Sequence, residues 1–348
     1  ILWVGGIVGY IKNTNIINAY STGNVRGSEY DIGGIVGYAW GTNIVDTYSA
    51  GDIIGNNEVG GIAGLIDETN ITNSYLTGSV IGNYFVGGIV GTAYYNSNII
   101  GAYSTGSVIS NSDVGGIAGS VEETNIINSY STGGIVGNSY SGGIVGVAYY
   151  AKVTNSYSRG NVVGNEVIGG IVGYADYTDV TNVYSMGNIN GGRGIGGIVG
   201  GVERSNITNS YSTGNVIRGD WSVGGIAGWI YDGSNVSNSV AINSLISGSY
   251  DFVNRVVGRI DDYYEPNAAS NNFALSNIIG GFTNIGDIKY NGMDKTIEQL
   301  KTKETYSDAI DGDGLGGLGW QFGDSDTAPW KIDPTKNNGY PYFYWQEL

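Results

Sequence analysis

The chain has 348 residues, 62 of them Gly and only 4 Pro, with no Cys, no His and a formal charge of −16. Glycine without a three-residue period excludes collagen, while 41 per cent apolar residues and 28 Tyr argue against a disordered chain. The acidity excludes a nucleic-acid surface, and the missing Cys and His remove disulfides, the usual zinc sites and His-based nucleophiles.

In chain order, one phrase returns eight times, from INAYSTGNV at 17 through VDTYSAGDI, TNSYLTGSV, IGAYSTGSV, INSYSTGGI, TNSYSRGNV and TNVYSMGNI to TNSYSTGNV at 208. A second phrase alternates with it: Gly-Gly pairs beginning at 5, 33, 60, 87, 115, 142, 169, 196 and 224, each followed by Ile-Val-Gly or Ile-Ala-Gly. Both recur every 27 or 28 residues, a period that marks a stacked repeat architecture. The phrases are rich in Gly, Asn and β-branched residues and lack a 3.6-residue stripe, which excludes helical repeats. Each repeat therefore reads as one coil of an all-β solenoid (a β-helix), with about three strands per coil and backbone bonding to the coils above and below. Nine to ten coils are expected over residues 1–290, regular to about 240 and degenerate after.

Recurrence also orients side chains. The columns headed by Ile7, Ile16 and Val25 are almost always Ile or Val and are expected inside. The Thr22 column admits Ala50, Arg159 and Met186 and is expected outside. With a bend at Asn18, Tyr20 and its equivalents become an outward stacked ladder, and the Ala19 and Ser21 columns face inward. The Gly residues are expected at corners, or where one backbone passes close to another. All four prolines lie beyond 260, and the aromatic-rich segment 291–348 is expected to cap the open, unpaired end of the stack. No apolar run reaches the ~18 residues of a membrane span. The chain opens at Ile1 inside a repeat, so further residues are expected upstream.

The alternation of GGIVG with NITNSYSTGNV resembles the GLUG-motif repeat of bacterial and archaeal surface proteins. The tail supports it, with TIEQLKTKETY (296–306), GWQF (319–322), PW (329–330) and GYPYFYW (339–345). The resemblance implies a secreted or surface-displayed, adhesin-like protein and carries no catalytic residues with it.

Several candidate sites stand beside plainer readings. Gly192 to Gly197 fits the dinucleotide fingerprint GxGxxG, but no βαβ unit surrounds it. Arg218, Gly219 and Asp220 form an Arg-Gly-Asp tripeptide expected in a loop between coils, where it could meet a receptor. Aromatics gather after GGIVG, and Tyr38, Trp40, Tyr94, Tyr95, Tyr149, Tyr150, Trp229 and Tyr231 are expected along one edge as a face for sugars or a protein partner. Acidic residues Asp67, Glu68, Glu122, Glu123 and Glu203 share a corner, on coils that do not adjoin, too far apart for one Ca²⁺. Asp308, Asp311 and Asp313 in DAIDGDG look more like a calcium loop, without its full pattern. The sequons at Asn70, Asn206 and Asn235 follow automatically from repetition. No catalysis and no organic cofactor are expected. The two functional readings are an adhesin segment or a filament subunit, with a carbohydrate-binding or polysaccharide-degrading β-helix as the alternative.

Overall fold

The computed structural model describes residues 3–249, 252–307 and 317–347. The chain winds as a parallel β-solenoid; nine coils contribute to the same four sheets and the tenth to three of them. In the second coil the segments are Ile32–Gly33, Val36–Trp40, Asn43–Val45, Tyr48–Ser49 and Ile53–Ile54. We call the sheets A (through Ile32–Gly33), B (through Val36–Trp40), C (through both Asn43–Val45 and Tyr48–Ser49) and D (through Ile53–Ile54). Sheets A and B are ten strands deep and D nine, all pairings parallel. Five short segments replace the three longer strands expected. The reason is local: a residue with positive φ bends the extended chain, although Lys152–Ser158 and Asp179–Ser185 each run through the bend as one strand. Asn18, Asp46, Asn73, Asn128, Asn155, Asn182, Asn209 and Asn238 all lie at φ 49–54°, a conformation that Asn and Asp tolerate best among residues with a side chain.

That bend sets the facing anticipated from sequence. Ile44, Ile71 and Ile99 are fully buried, as are Ile35, Ile62 and Ile89, and Ile53, Val80 and Val108. Thr47, Ser74 and Ala102, one residue past the bend, also point inward, and so do Ser49 and Ser104 two residues later. Register is kept coil to coil, with Gly60 opposite Gly33 and Gly87, and Tyr75 opposite Tyr48 and Tyr103.

Of the two roles open to the Gly-Gly pair, close approach is the one found. A Cβ on Gly34 would sit 2.1 Å from the Gly61 carbonyl oxygen and 2.4 Å from Ser49 Oγ. The same contact recurs at Gly143, 2.1 Å from the Gly170 oxygen and 2.4 Å from Ser158 Oγ. The small inward Ser column and the Gly-Gly column are therefore one feature, two walls of the coil pressed together.

The C-terminal segment departs from the expected end cap. Residues 283–295 do cover the last coil: Thr283, Met293 and the Tyr290 carbonyl bond to Val253, Asn272 and Val256 backbone, and Arg255 N–H donates to Asn291 Oδ1 at 3.1 Å. The aromatic part, however, lies along the flank, on the Tyr ladder. Its strands Phe322–Ser325, Ala328–Lys331 and Tyr342–Phe343 form a small antiparallel sheet. Trp320, Trp330 and Phe343 are buried against Tyr157, Tyr184 and Tyr211, leaving the rungs from Tyr20 to Tyr103 uncovered. Aromatic area is more completely buried on a flat ladder than across the narrow end of a rod, which accounts for the path.

Candidate functional site

The aromatic edge forms on the outer face of sheet B, as three parallel columns rather than one. Tyr38, Tyr174 and Trp229 stand mid-strand, with Leu65 opposite Tyr38 and Gly201 opposite both Tyr174 and Trp229. Two residues on, Trp40, Tyr94, Tyr149 and Tyr231 occupy strand ends. Tyr95 and Tyr150 sit at the following corner with φ of 34° and 50°. In the strand-end column aromatic and acidic residues adjoin: Asp67 lies between Trp40 and Tyr94, and Tyr149 between Glu122 and Asp176. Like charges opposed at strand spacing would repel, and an intervening ring relieves that.

One acidic contact was missed in the sequence. Asp176 lies directly opposite Glu203 on the next coil, so carboxylates do adjoin at this corner. Arg204 neutralises both, with Nε and Nη2 each 3.0 Å from Asp176 carboxylate oxygens and Nη2 2.5 Å from Glu203 Oε1. Tyr174 hydroxyl donates to Glu203 Oε2 at 2.5 Å, and its burial first, then that carboxylate, push the phenol well above its usual range. The signal available in the sequence was the step of 27 from Asp176 to Glu203. A clamped, hydrogen-bonded pair of this kind is structural.

The Arg-Gly-Asp tripeptide is not a loop tip. Arg218 and Gly219 end the strand Val216–Gly219, and Gly219 carbonyl accepts from Ser249 N–H at 2.7 Å. Arg218, at φ 68°, and Asp220 are exposed, but Asp220 N–H is held by the Gly192 carbonyl. What the structure brings together is Asp220 and Trp229. Both line a cleft of about 710 Å³ with Glu166, Val167, Arg193, Gly194, Trp221 and Phe252. The dinucleotide-like run 192–197 contributes its wall, as the strand Arg193–Gly196, which leads into a tight turn and the strand Val199–Glu203 rather than a helix. Tyr38, Trp40, Tyr94, Tyr95, Tyr149, Tyr150 and Tyr231 are outside the cleft. Trp221 and Phe252 were not anticipated, and nothing periodic in the sequence marks them.

A second cluster lies at the other end of the rod. Asp31 is 7 % exposed, at φ 52°, and one of its carboxylate oxygens is buried without a partner. Burial, then Glu58 on the next coil, push its carboxyl up to about 8. Burial pushes Asp113 up to about 6. Asp308, Asp311 and Asp313 lie outside the described residues. Asn70, Asn206 and Asn235 all begin strands of sheet C, and Asn70 is bonded into a ladder with Asn43 and Asn98 at 3.0 and 2.7 Å.

The GLUG motif family model matches residues 137–163 and 191–217. Comparison with curated proteins finds no match. Among solved structures, a Bacteroides ovatus protein described as a "putative immunoglobulin A1 protease" aligns over 93 % of this chain and 87 % of its own, at 18 % identity and TM-score 0.40. Among the described residues no helix is long and apolar enough to cross a membrane. The two matched segments are turns of one stack with one unmatched turn, 164–190, between them, and the chain is a β-solenoid that contains GLUG-motif repeats.

Proposed function

We propose that the chain is an extracellular structural and adhesive repeat protein, a stiff rod that presents its sheet B face to a surface ligand. The observation that carries the reading is the asymmetry of the rod. One flank is covered by the protein's own tail, while the sheet B edge leaves Tyr95, Tyr149, Tyr150 and Tyr177 38–56 % exposed. Exposed rings gathered on one edge of a rod suit contact with a partner, because they give large apolar area at small conformational cost. The GLUG motif supports a secreted or surface-displayed location by resemblance.

The test is adhesion of the purified chain to cells and immobilised glycans under flow. Changing Tyr94, Tyr95, Tyr149 and Tyr150 together to Ser should abolish it while leaving the melting temperature near its original value. Regular fibres in electron micrographs, with no surface binding at any concentration, would favour the filament subunit and overturn the adhesive reading.

A further inference from the structure

We propose that the cleft around Trp229 is a binding site for a protonated amino sugar within a glycan. This deepens the adhesive reading and rests on it for the site's use, though its test does not.

The cleft is a break in an otherwise repetitive surface. Gly194 lies at φ 64°, in the row where neighbouring coils carry Phe85, Asp113, Tyr140 and Val167 at φ 49–55°. Gly201 likewise replaces Tyr174 in the mid-strand column. Both absences are filled by the Trp229 indole. A Cβ on Gly201 would sit 2.3 Å from Trp229 Cζ2, and one on Gly194 2.9 Å from Nε1. Two glycines thus let the indole lie flat, forming a floor where other coils raise a side chain.

The walls are fixed. Arg259 guanidinium stacks on Trp221 at 4.6 Å and on Phe252 at 4.9 Å, and its charge is taken by Asp261 at 2.9 Å. At the rim Arg193 stands 3.9 Å from Glu166, which leaves Asp220, among the described residues that line the cleft, as the carboxylate without an ion pair. An indole floor and an unmatched carboxylate lining one cleft suit an ammonium group on a ring with an apolar face. The volume lies within the roughly 300–1,000 Å³ of small-ligand sites. The rim balance and a chain charge of −16 disfavour uronic and sialic acids.

Tryptophan fluorescence titration tests this with three tetrasaccharides: β-1,4-linked glucosamine, its fully N-acetylated form, and galacturonic acid. The glucosamine tetramer should bind tightest, weaken with added salt, and exceed the acetylated form about tenfold. Trp221→Ala should cost at least tenfold in affinity. Asp220→Asn should erase the preference for the free amine. Both residues are exposed, so circular dichroism should show an unchanged fold. Absence of binding, equal binding of the galacturonate, or affinity untouched by both substitutions would overturn the site. Choline binding as tightly as the glucosamine tetramer would also overturn it, since the ring would then contribute nothing. Loss of cell adhesion with glucosamine binding intact would count against the adhesive reading alone.

Discussion

The Tyr ladder is one structure in two environments. Its rungs stack at 4.7–5.2 Å and within 7° of parallel over eight coils, from Tyr20–Tyr48 to Tyr184–Tyr211. Tyr20 is 61 % exposed and Tyr184 fully buried, yet the geometry is the same. Stacking is therefore imposed by the coil spacing, and the tail follows it rather than creating it. The tail's own rings repeat that spacing, Trp320 to Trp330 and Trp330 to Phe343 both 4.6 Å apart; Trp330 and Phe343 are direct partners on adjacent strands, separated by the same backbone hydrogen-bonding distance. Two sheets with one period can interdigitate their side chains. The covered rungs also gain partners: Tyr184 hydroxyl donates to Gln346 Oε1 at 2.7 Å and Tyr211 hydroxyl to the Pro341 carbonyl at 2.6 Å.

Trp330→Ala should break this difference most strongly. The indole is fully buried and donates to Asn182 Oδ1 at 3.3 Å, so its loss should cost about 3–5 kcal/mol. In a stack where each coil touches only its neighbours the damage stays local. Hydrogen exchange should rise in the tail and around Tyr184 while the coils of Tyr48 and Tyr75 keep their protection. A uniform rise along the rod would show that tail and solenoid fold as one unit.

Gly116→Ala comes next and separates the rod from its cover. The new Cβ would lie 2.3 Å from the Gly143 carbonyl oxygen and from Ser131 Oγ, overpacking that costs at least about 1–3 kcal/mol. Gly134→Ala, where nothing lies within 4 Å, is the control and should be near neutral in thermal melts.

Tyr184→Phe removes the shorter of the two hydrogen bonds that reach buried Gln346 Oε1 and should cost about 0.5–1.5 kcal/mol, against within about 0.5 kcal/mol for Tyr75→Phe. The covered phenols also predict an alkaline limit. Burial raises Tyr184 and Tyr211 above their ordinary value. Their contribution is thus complete below the unfolded value near ~10 and is lost as pH rises beyond it. Tail docking, followed by Trp fluorescence, should fail first on the alkaline side.

What was legible in the sequence is what repeats. Ile44, Tyr48 and Gly33 occupy columns whose members obey one constraint as far as Tyr211 and Gly224, so facing and register could be read without coordinates. The bend at Asn18 was visible for the same reason. The tail's path was not, because Trp320, Trp330 and Phe343 occur once each and have no column to declare their neighbour. The cleft was half legible: Trp229 and Asp220 drew notice separately, but their meeting depends on Gly194 and Gly201, which are invisible among 62 glycines. The Asp176–Glu203 contact was overlooked although its spacing was available, since its coil was read for aromatics alone.

The smallest effect expected lies at the uncovered end, and it sharpens the contrast because no tail contributes there. Asp31 is enclosed by its own coil, by Glu58 from the next, and by Trp3, whose hydrogen bond partly offsets the upward shift. Burial first, and nearby carboxylates after it, raise the Tyr38 and Tyr94 phenols, to which an ionised Asp31 adds least. With the carboxyl pushed from its ordinary 3.8 up to about 8 in the fold, the folded chain holds a proton that the unfolded chain has released. Stability at this end is therefore greatest below about pH 4 and falls as pH rises towards 8, where the proton is lost. Asp31→Asn retains the shape and a donor towards Glu58 but carries no proton to lose. It should flatten the dependence and leave this end more protected at pH 8. Hydrogen exchange at Ile32 and Val59, corrected for intrinsic rates at pH 5 and pH 8, reads the difference, and protection that instead rises with pH in the unmodified chain would show that Asp31 is ionised in the fold.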